Sequence, residues 1–399
     1  MAQAIQYKTG AVEKAPAIGV NSEIRTRVLV MRGHCVIGEN VHIHADDLFI
    51  DEDVKIDHDV VIKGKRVRLG RNVTISPSTN ILSDDIEVRE STEIHENVRI
   101  TALEKFSMGR QGVLAGNACL SARSIEIGDS FYSNENPIPM IIGGGGWRRP
   151  TAKVRIGSGC VIHDSFINAY MPVEIGDNVG FSAGSAIITH GFWNSVVAGY
   201  SSKFGPVKIG RNVIIGYRAL ILPGVTVGDY CSIGAGAVVT RSFPAHCVVA
   251  GVPARIIETG SRYPRRLKPR DRKRIMEEVL EEYAELLRDK LDSATLSREK
   301  GGMSVIRGEY VSKKFQIVFS PSLHPRRHTG EIRTIFLSFD GGPVPEGDYG
   351  INLTDCTWSG TDDEVSDDLR DFLRHYGIRV LSRRFRSIPP KLERQLADM

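Results

Sequence analysis

Histidines, cysteines and one run of glycines are the residues of this 399-residue chain with the most evident chemistry. Zinc held as in a γ-type carbonic anhydrase needs three histidines, two of them separated by four residues. The eleven histidines contain His324 and His328, with three residues between, and no pair has the required spacing. The six cysteines, Cys35, Cys119, Cys160, Cys231, Cys247 and Cys356, include no CxxC pair and read as reduced, mostly buried small apolar residues. Gly143–Gly146 lie in NENPIPMIIGGGGWRRP and are not followed by Lys-Ser/Thr, so a phosphate-binding P-loop is a poor reading. The stretch reads as an excursion from the main body that leaves Trp147, Arg148 and Arg149 within reach of a ligand. A second excursion, HGFWNSVVAGYSSKFGP, covers residues 190–206 and carries His190 beside Phe192 and Trp193.

The elements that position these residues are set by an unusual period. From Val207 to Ile257 an aliphatic recurs at every sixth position: Ile209, Ile215, Ile221, Val227, Ile233 and Val239. An α-helix needs a period of about 3.6 and an isolated strand about 2. Six fits a chain that turns after each short strand and buries one aliphatic per side, three sides making one triangular coil. Gly210, Gly216, Gly228 and Gly234 follow the aliphatics, where a missing Cβ is expected to ease the bend. Upstream, Ile24, Ile43, Ile62, Ile81 and Ile100 stand nineteen apart. Within each interval the steps run seven, six, six, as with Met31 and Ile37, or Leu69 and Ile75. That repetition predicts stacked coils with one extra residue at the same corner.

Residues 1–23 are polar and aperiodic and read as a leader that wraps or caps the first coil. The solenoid is expected over 24–259, a basic linker and amphipathic helix over 260–302, and a small α+β domain over 303–399. Pro269 opens the helix, whose apolar face holds Ile275, Val279, Tyr283 and Leu286; the solenoid or a neighbouring chain is the expected partner for that face. Net charge is only +4, and the basic residues clustered over 262–274 read as a solvated linker or a patch beside a bound co-substrate rather than a nucleic-acid surface. No run reaches transmembrane length and the N-terminus lacks a signal-peptide core, so a soluble cytoplasmic protein without a membrane span is expected.

Five motifs carry a resemblance: IGDNV at 175–179, VKIGRNVIIG, LPGVTVGD, IGAGAVVT and AGVPARII. Through them residues 156–257 resemble the hexapeptide-repeat acyltransferases, especially the galactoside and maltose O-acetyltransferases. The resemblance implies a left-handed parallel β-helix and a homotrimer with active sites between adjacent solenoids. It implies acetyl-CoA as co-substrate, no metal requirement, and a sugar or glycoconjugate precursor as acceptor. A histidine on the loop before the last coils is the family's general base, and His190 occupies that place. A neutral imidazole suits the task, because an acceptor hydroxyl is a weak nucleophile until its proton is being removed. By motif position Ala235, Thr240 and Arg241 line the CoA groove, Gly234 keeps backbone amides approachable, and Arg255 meets the nucleotide phosphate. Tyr217 stands at a further CoA position, where a small polar residue is commoner. On the acceptor side, Asp164 or Asn168 is placed to orient a hydroxyl, and Trp193 to stack on a sugar face. Two alternatives stand beside O-acetylation: N-acetylation of an amino sugar, and a β-helix scaffold with no catalytic role.

Overall fold

A computed structural model describes residues 5–134, 139–260, 263–291, 293–299, 301–322, 332–380 and 388–391. The chain divides into two compact units, Met1–Arg266 and Leu267–Met399. His324 and His328 lie outside the described residues.

The first unit is a parallel β-solenoid, and its register follows the sequence spacing. Ile24 sits opposite Ile43, Ile43 opposite Ile62, Ile62 opposite Ile81 and Ile81 opposite Ile100. A second column runs through Ile162, Phe181, Ile215, Ile233 and Val249. Pairing joins the strands into an eighteen-stranded and a thirteen-stranded sheet that wrap one apolar interior. Each buried Ile or Leu contributes about 1.5–3 kcal/mol, so these columns hold the coils together.

The seven-residue step has a structural counterpart. At that corner the backbone makes no tight turn: Glu23–Met31, His42–Ile50 and Asn80–Val88 are continuous nine-residue strands that bend across two faces. The leader is more regular than its composition suggests. Ile5 pairs with Ile24, Thr9 with Val28 and Ala17 with Val36, so the residues expected to cap the first coil form a coil of their own.

The glycines after the aliphatics are needed for a reason other than bending. A Cβ on Gly210, Gly216 or Gly228 would come within 2.4, 2.6 or 2.3 Å of the next coil. The left-handed backbone falls instead on later corner residues such as Asn178 (φ 56°) and Asn212 (φ 55°), where a short polar side chain is tolerated.

The second unit begins with helix α1, Pro269–Lys290. Six strands follow in sequential order as one mixed sheet, with helix α2, Glu364–His375, after the last. Asp363 caps α2 through the Ser366 N–H, and the Ser366 hydroxyl answers by accepting from the Asp363 N–H. The apolar face of α1, expected against the solenoid or a neighbouring chain, is covered within its own unit. Leu280, Tyr283 and Leu287 share one buried cluster with Ile306, Ile317 and Ile335 of the sheet and Leu369 and Leu373 of α2.

Candidate active site

Coil stacking sets the site. Strand Phe166–Asn168 pairs in parallel with Ala186–Ile187, placing Ile167 opposite Ile187. Tyr170 and His190 each lie three residues further on, so the two rings stack on neighbouring coils with centroids 4.4 Å apart. His190–Gly191 then pairs antiparallel with Lys203–Phe204, which makes the second excursion a hairpin. Its return brings Phe204 nearly parallel to the imidazole at 6.2 Å, and Phe192 stands 5.3 Å away.

The imidazole is held through its Nδ1. That N–H donates to Asn168 Oδ1 at 2.8 Å, and the same oxygen accepts from the Thr189 hydroxyl at 2.6 Å. Thr189 Oγ1 in turn accepts from the Met171 N–H at 3.1 Å. Asn168 and Thr189 are buried. An amide oxygen only accepts, so the ring proton stays on Nδ1 and the lone pair on Nε2. Burial among the aromatic rings holds the His190 pKa below the ordinary imidazole value, which favours the neutral form.

The tetraglycine excursion buttresses this arrangement. Gly144 has φ +105°, and a Cβ there would stand 2.0 Å from Asn168 Nδ2; one on Gly146 would meet Tyr170 at 3.0 Å. The Arg149 guanidinium lies 4.4 Å from the Tyr170 ring centre, and the Thr151 hydroxyl donates to the Tyr170 carbonyl at 2.9 Å. Tyr170, Thr189, Phe204 and Gly144 are members of the site that sequence reasoning missed. The matched offset of Tyr170 and His190 from paired isoleucines was the available signal.

The other candidate residues separate by edge. Asn168 is turned into the imidazole, its oxygen already shared by three donors, His190 Nδ1, the Thr189 hydroxyl and the Tyr170 N–H, rather than out toward an acceptor. Asp164 stands before the strand Phe166–Asn168, at the opposite end from His190. Trp193 is 94% exposed at the hairpin. Thr240 and Arg241 follow Val238–Val239, which pairs with Leu220–Ile221 and through it with Ala186–Ile187. They therefore share His190's edge, two coils away, or about 10 Å along the axis. Tyr217, Gly234 and Ala235 occupy a different edge, after Ile214–Ile215 and Ser232–Ile233, where the Gly236 N–H donates to the Tyr217 carbonyl at 2.7 Å. Arg255 opens a terminal strand that folds back antiparallel on Cys247–Ala250. Arg241 and Arg255 are exposed, and neither is ion-paired among the described residues. Among those residues no group of three or more His, Cys, Asp or Glu is placed to hold a metal ion.

Residues 206–241 match the family described as "Bacterial transferase hexapeptide (six repeats)". Over that segment the solenoid is similar to the hexapeptide-repeat transferases. Galactoside O-acetyltransferase of Escherichia coli (strain K12) is 34% identical over 125 residues, 29% of this chain and 62% of that protein. A 2,3,4,5-tetrahydropyridine-2,6-dicarboxylate N-acetyltransferase of Enterococcus faecalis is 53% identical over 53 residues, 13% of this chain and 23% of that protein. The chain thus spans less than two thirds of either relative. A solved maltose O-acetyltransferase of Clostridium difficile is 27% identical, with 35% of this chain and 68% of that chain covered and a TM-score of 0.24.

Proposed function

We propose that the protein is an acetyl-CoA-dependent acetyltransferase that acylates a hydroxyl of a sugar or glycoconjugate precursor, with His190 as general base. The observation that carries this reading is the Nδ1 bond to Asn168, which leaves Nε2 unprotonated at a half-exposed edge. Acetyl-CoA supplies an activated thioester carbonyl. The residues present fit such a ligand: Arg241 and Arg255 are exposed cations suited to phosphate, and the backbone at Ala235 and Gly236 is exposed for an extended arm.

In this mechanism Nε2 takes the acceptor's proton as its oxygen attacks, and the imidazolium then protonates the departing thiolate. Asn168 holds the ring orientation through both transfers. Tyr170, Phe192 and Phe204 exclude water from one side of the imidazole and offer flat apolar faces to a pyranose. The split of candidate donor-binding residues over two edges supports a homotrimer, in which one copy's edge faces another's across each site; a monomeric solution mass would overturn that arrangement.

The test is incubation with acetyl-CoA and a panel of sugars, amino sugars and nucleotide sugars, read by thiol release and product mass. An O-acetylated product supports the reading. An N-acetylated product favours the second reading, for which the similarity to an N-acetyltransferase speaks. Absence of transfer to any acceptor favours a scaffold.

A further inference from the structure

One corner position recurs on successive coils, each with its N–H bonded to a carbonyl of the coil before. It is occupied by Asp53, Asn72, Ser91, Gln111, Ser130, Gly159, Asn178 and Asn212, all with φ between 53° and 67°. The last two coils break the pattern with rings: Tyr230 (φ 55°) and His246 (φ 59°). A bulky side chain in left-handed backbone is costly where Asn would be tolerated, and such strain concentrates at functional sites.

The two rings lie parallel, 4.9 Å between centroids and 8° between planes. The Arg211 guanidinium, fixed by Asp229 at 3.0 Å, stands 5.9 Å from the Tyr230 ring centre. His246 Nδ1 donates to the Tyr263 carbonyl at 3.1 Å. On the next rung is Gly260, whose N–H donates to the His246 carbonyl at 2.9 Å. It has φ +87°, and a Cβ built on it would meet nothing within 4 Å. The ladder of flat groups thus ends at an open place, in a cleft of about 680 Å³ bounded by Tyr230, His246, Tyr263, Pro264 and Arg266. Arg266 is exposed and not ion-paired among the described residues.

We propose that this corner binds a nucleotide: the base stacks on the free side of His246 and continues the ladder, and Arg266 takes the phosphates. A planar ring suits the open rung better than a puckered sugar, because base–aromatic stacking needs only a flat π-face. The guanidinium selects phosphate by charge and fork geometry. The corner follows Thr226–Val227, whereas His190 follows Ala186–Ile187, so the site occupies another edge of the solenoid and stands independently of the role given to His190. The same nucleoside diphosphate chemistry is offered by an adenine-containing acyl donor and by a nucleotide-activated sugar.

The experiment is calorimetric titration of the full chain with ADP and, separately, UDP, repeated on Tyr230→Asn/His246→Asn and on Arg266→Gln. Asn is the residue at the matching position of three other coils, so the double variant is expected to keep or raise the melting temperature. The double variant should weaken binding about 5- to 150-fold, the range that loss of a stacked base gives. Arg266→Gln should weaken binding and flatten its salt dependence. Tighter ADP binding identifies the acyl donor as the source, and tighter UDP binding an activated sugar. Absence of binding by either nucleotide at about 1 mM, or equal affinity in wild type and a folded double variant, would overturn the proposal.

Discussion

Replacing Asn168 by Ala isolates what one buried amide does for the imidazole. In the resting site its oxygen accepts from a neutral Nδ1–H at 2.8 Å. Such a bond is worth about 0.5–1.5 kcal/mol net, and about 1.5–3 kcal/mol once the ring is cationic. The bond therefore strengthens by about 1–1.5 kcal/mol as the proton arrives, equivalent to about 5- to 12-fold in rate. The variant also frees the ring to rotate, and misplacing a catalytic group by about 1 Å can cost about 100-fold. The expected result is a kcat lower by about 10- to 100-fold with the acceptor KM nearly unchanged. Steady-state thiol release at varied acceptor concentration checks it. Asn168→Asp should move the acid limb of the rate profile upward, because a carboxylate against Nδ1 stabilises imidazolium. A raised acceptor KM with kcat intact in Asn168→Ala would refute the reasoning and return Asn168 to substrate contact.

Three further outcomes follow from the same geometry. Gly144→Ala forces a Cβ to within 2.0 Å of Asn168 Nδ2 and should lower kcat by about 10- to 100-fold, with a fall in melting temperature from the strained left-handed backbone; full activity would separate the glycine loop from the site. Burial lowers the His190 pKa, and the base works neutral, so kcat/KM should rise with pH through a midpoint below the ordinary value of about 6.5 and stay flat above it; a midpoint above 7 would contradict this. In the C-terminal unit, buried Lys290 donates to Asp368 at 2.6 Å and the Tyr283 hydroxyl to its other oxygen at 2.9 Å. Asp368→Ala should cost that unit about 3–5 kcal/mol by removing the carboxylate paired with a buried ammonium, and Lys290→Met/Asp368→Leu should cost far less. Denaturant unfolding of the full chain resolves the two, and equal losses would refute the pairing argument.

The solenoid was legible because its spacing is its structure. Each coil contributes one aliphatic per face, and a shift of register would expose a whole column, so period six and the nineteen-residue ladder survive in the pairing unaltered. His190 was named through the family resemblance and Asn168 for its place one coil ahead, as an acceptor contact rather than as the partner of the ring. Phe204 and Gly144 approach only after excursions of uneven length fold back, and no period encodes that. The apolar face of α1 announced that it is covered but not by what, since the sheet it meets is assembled from strands that follow in the chain. Two of those strands, Ala294–Glu299 and Thr357–Gly360, stand at the sheet edges and escaped notice for lack of an apolar run. The glycines were placed correctly at the corners and explained wrongly, because the backbone that crowds them belongs to the next coil.

The most direct measurement is the turnover of His190→Ala with acetyl-CoA and the best acceptor from the panel, beside circular dichroism to confirm the β signal. With Nε2 as the base, turnover should fall about 10²- to 10⁴-fold with the spectrum unchanged. Turnover equal to that of the wild type would contradict the account.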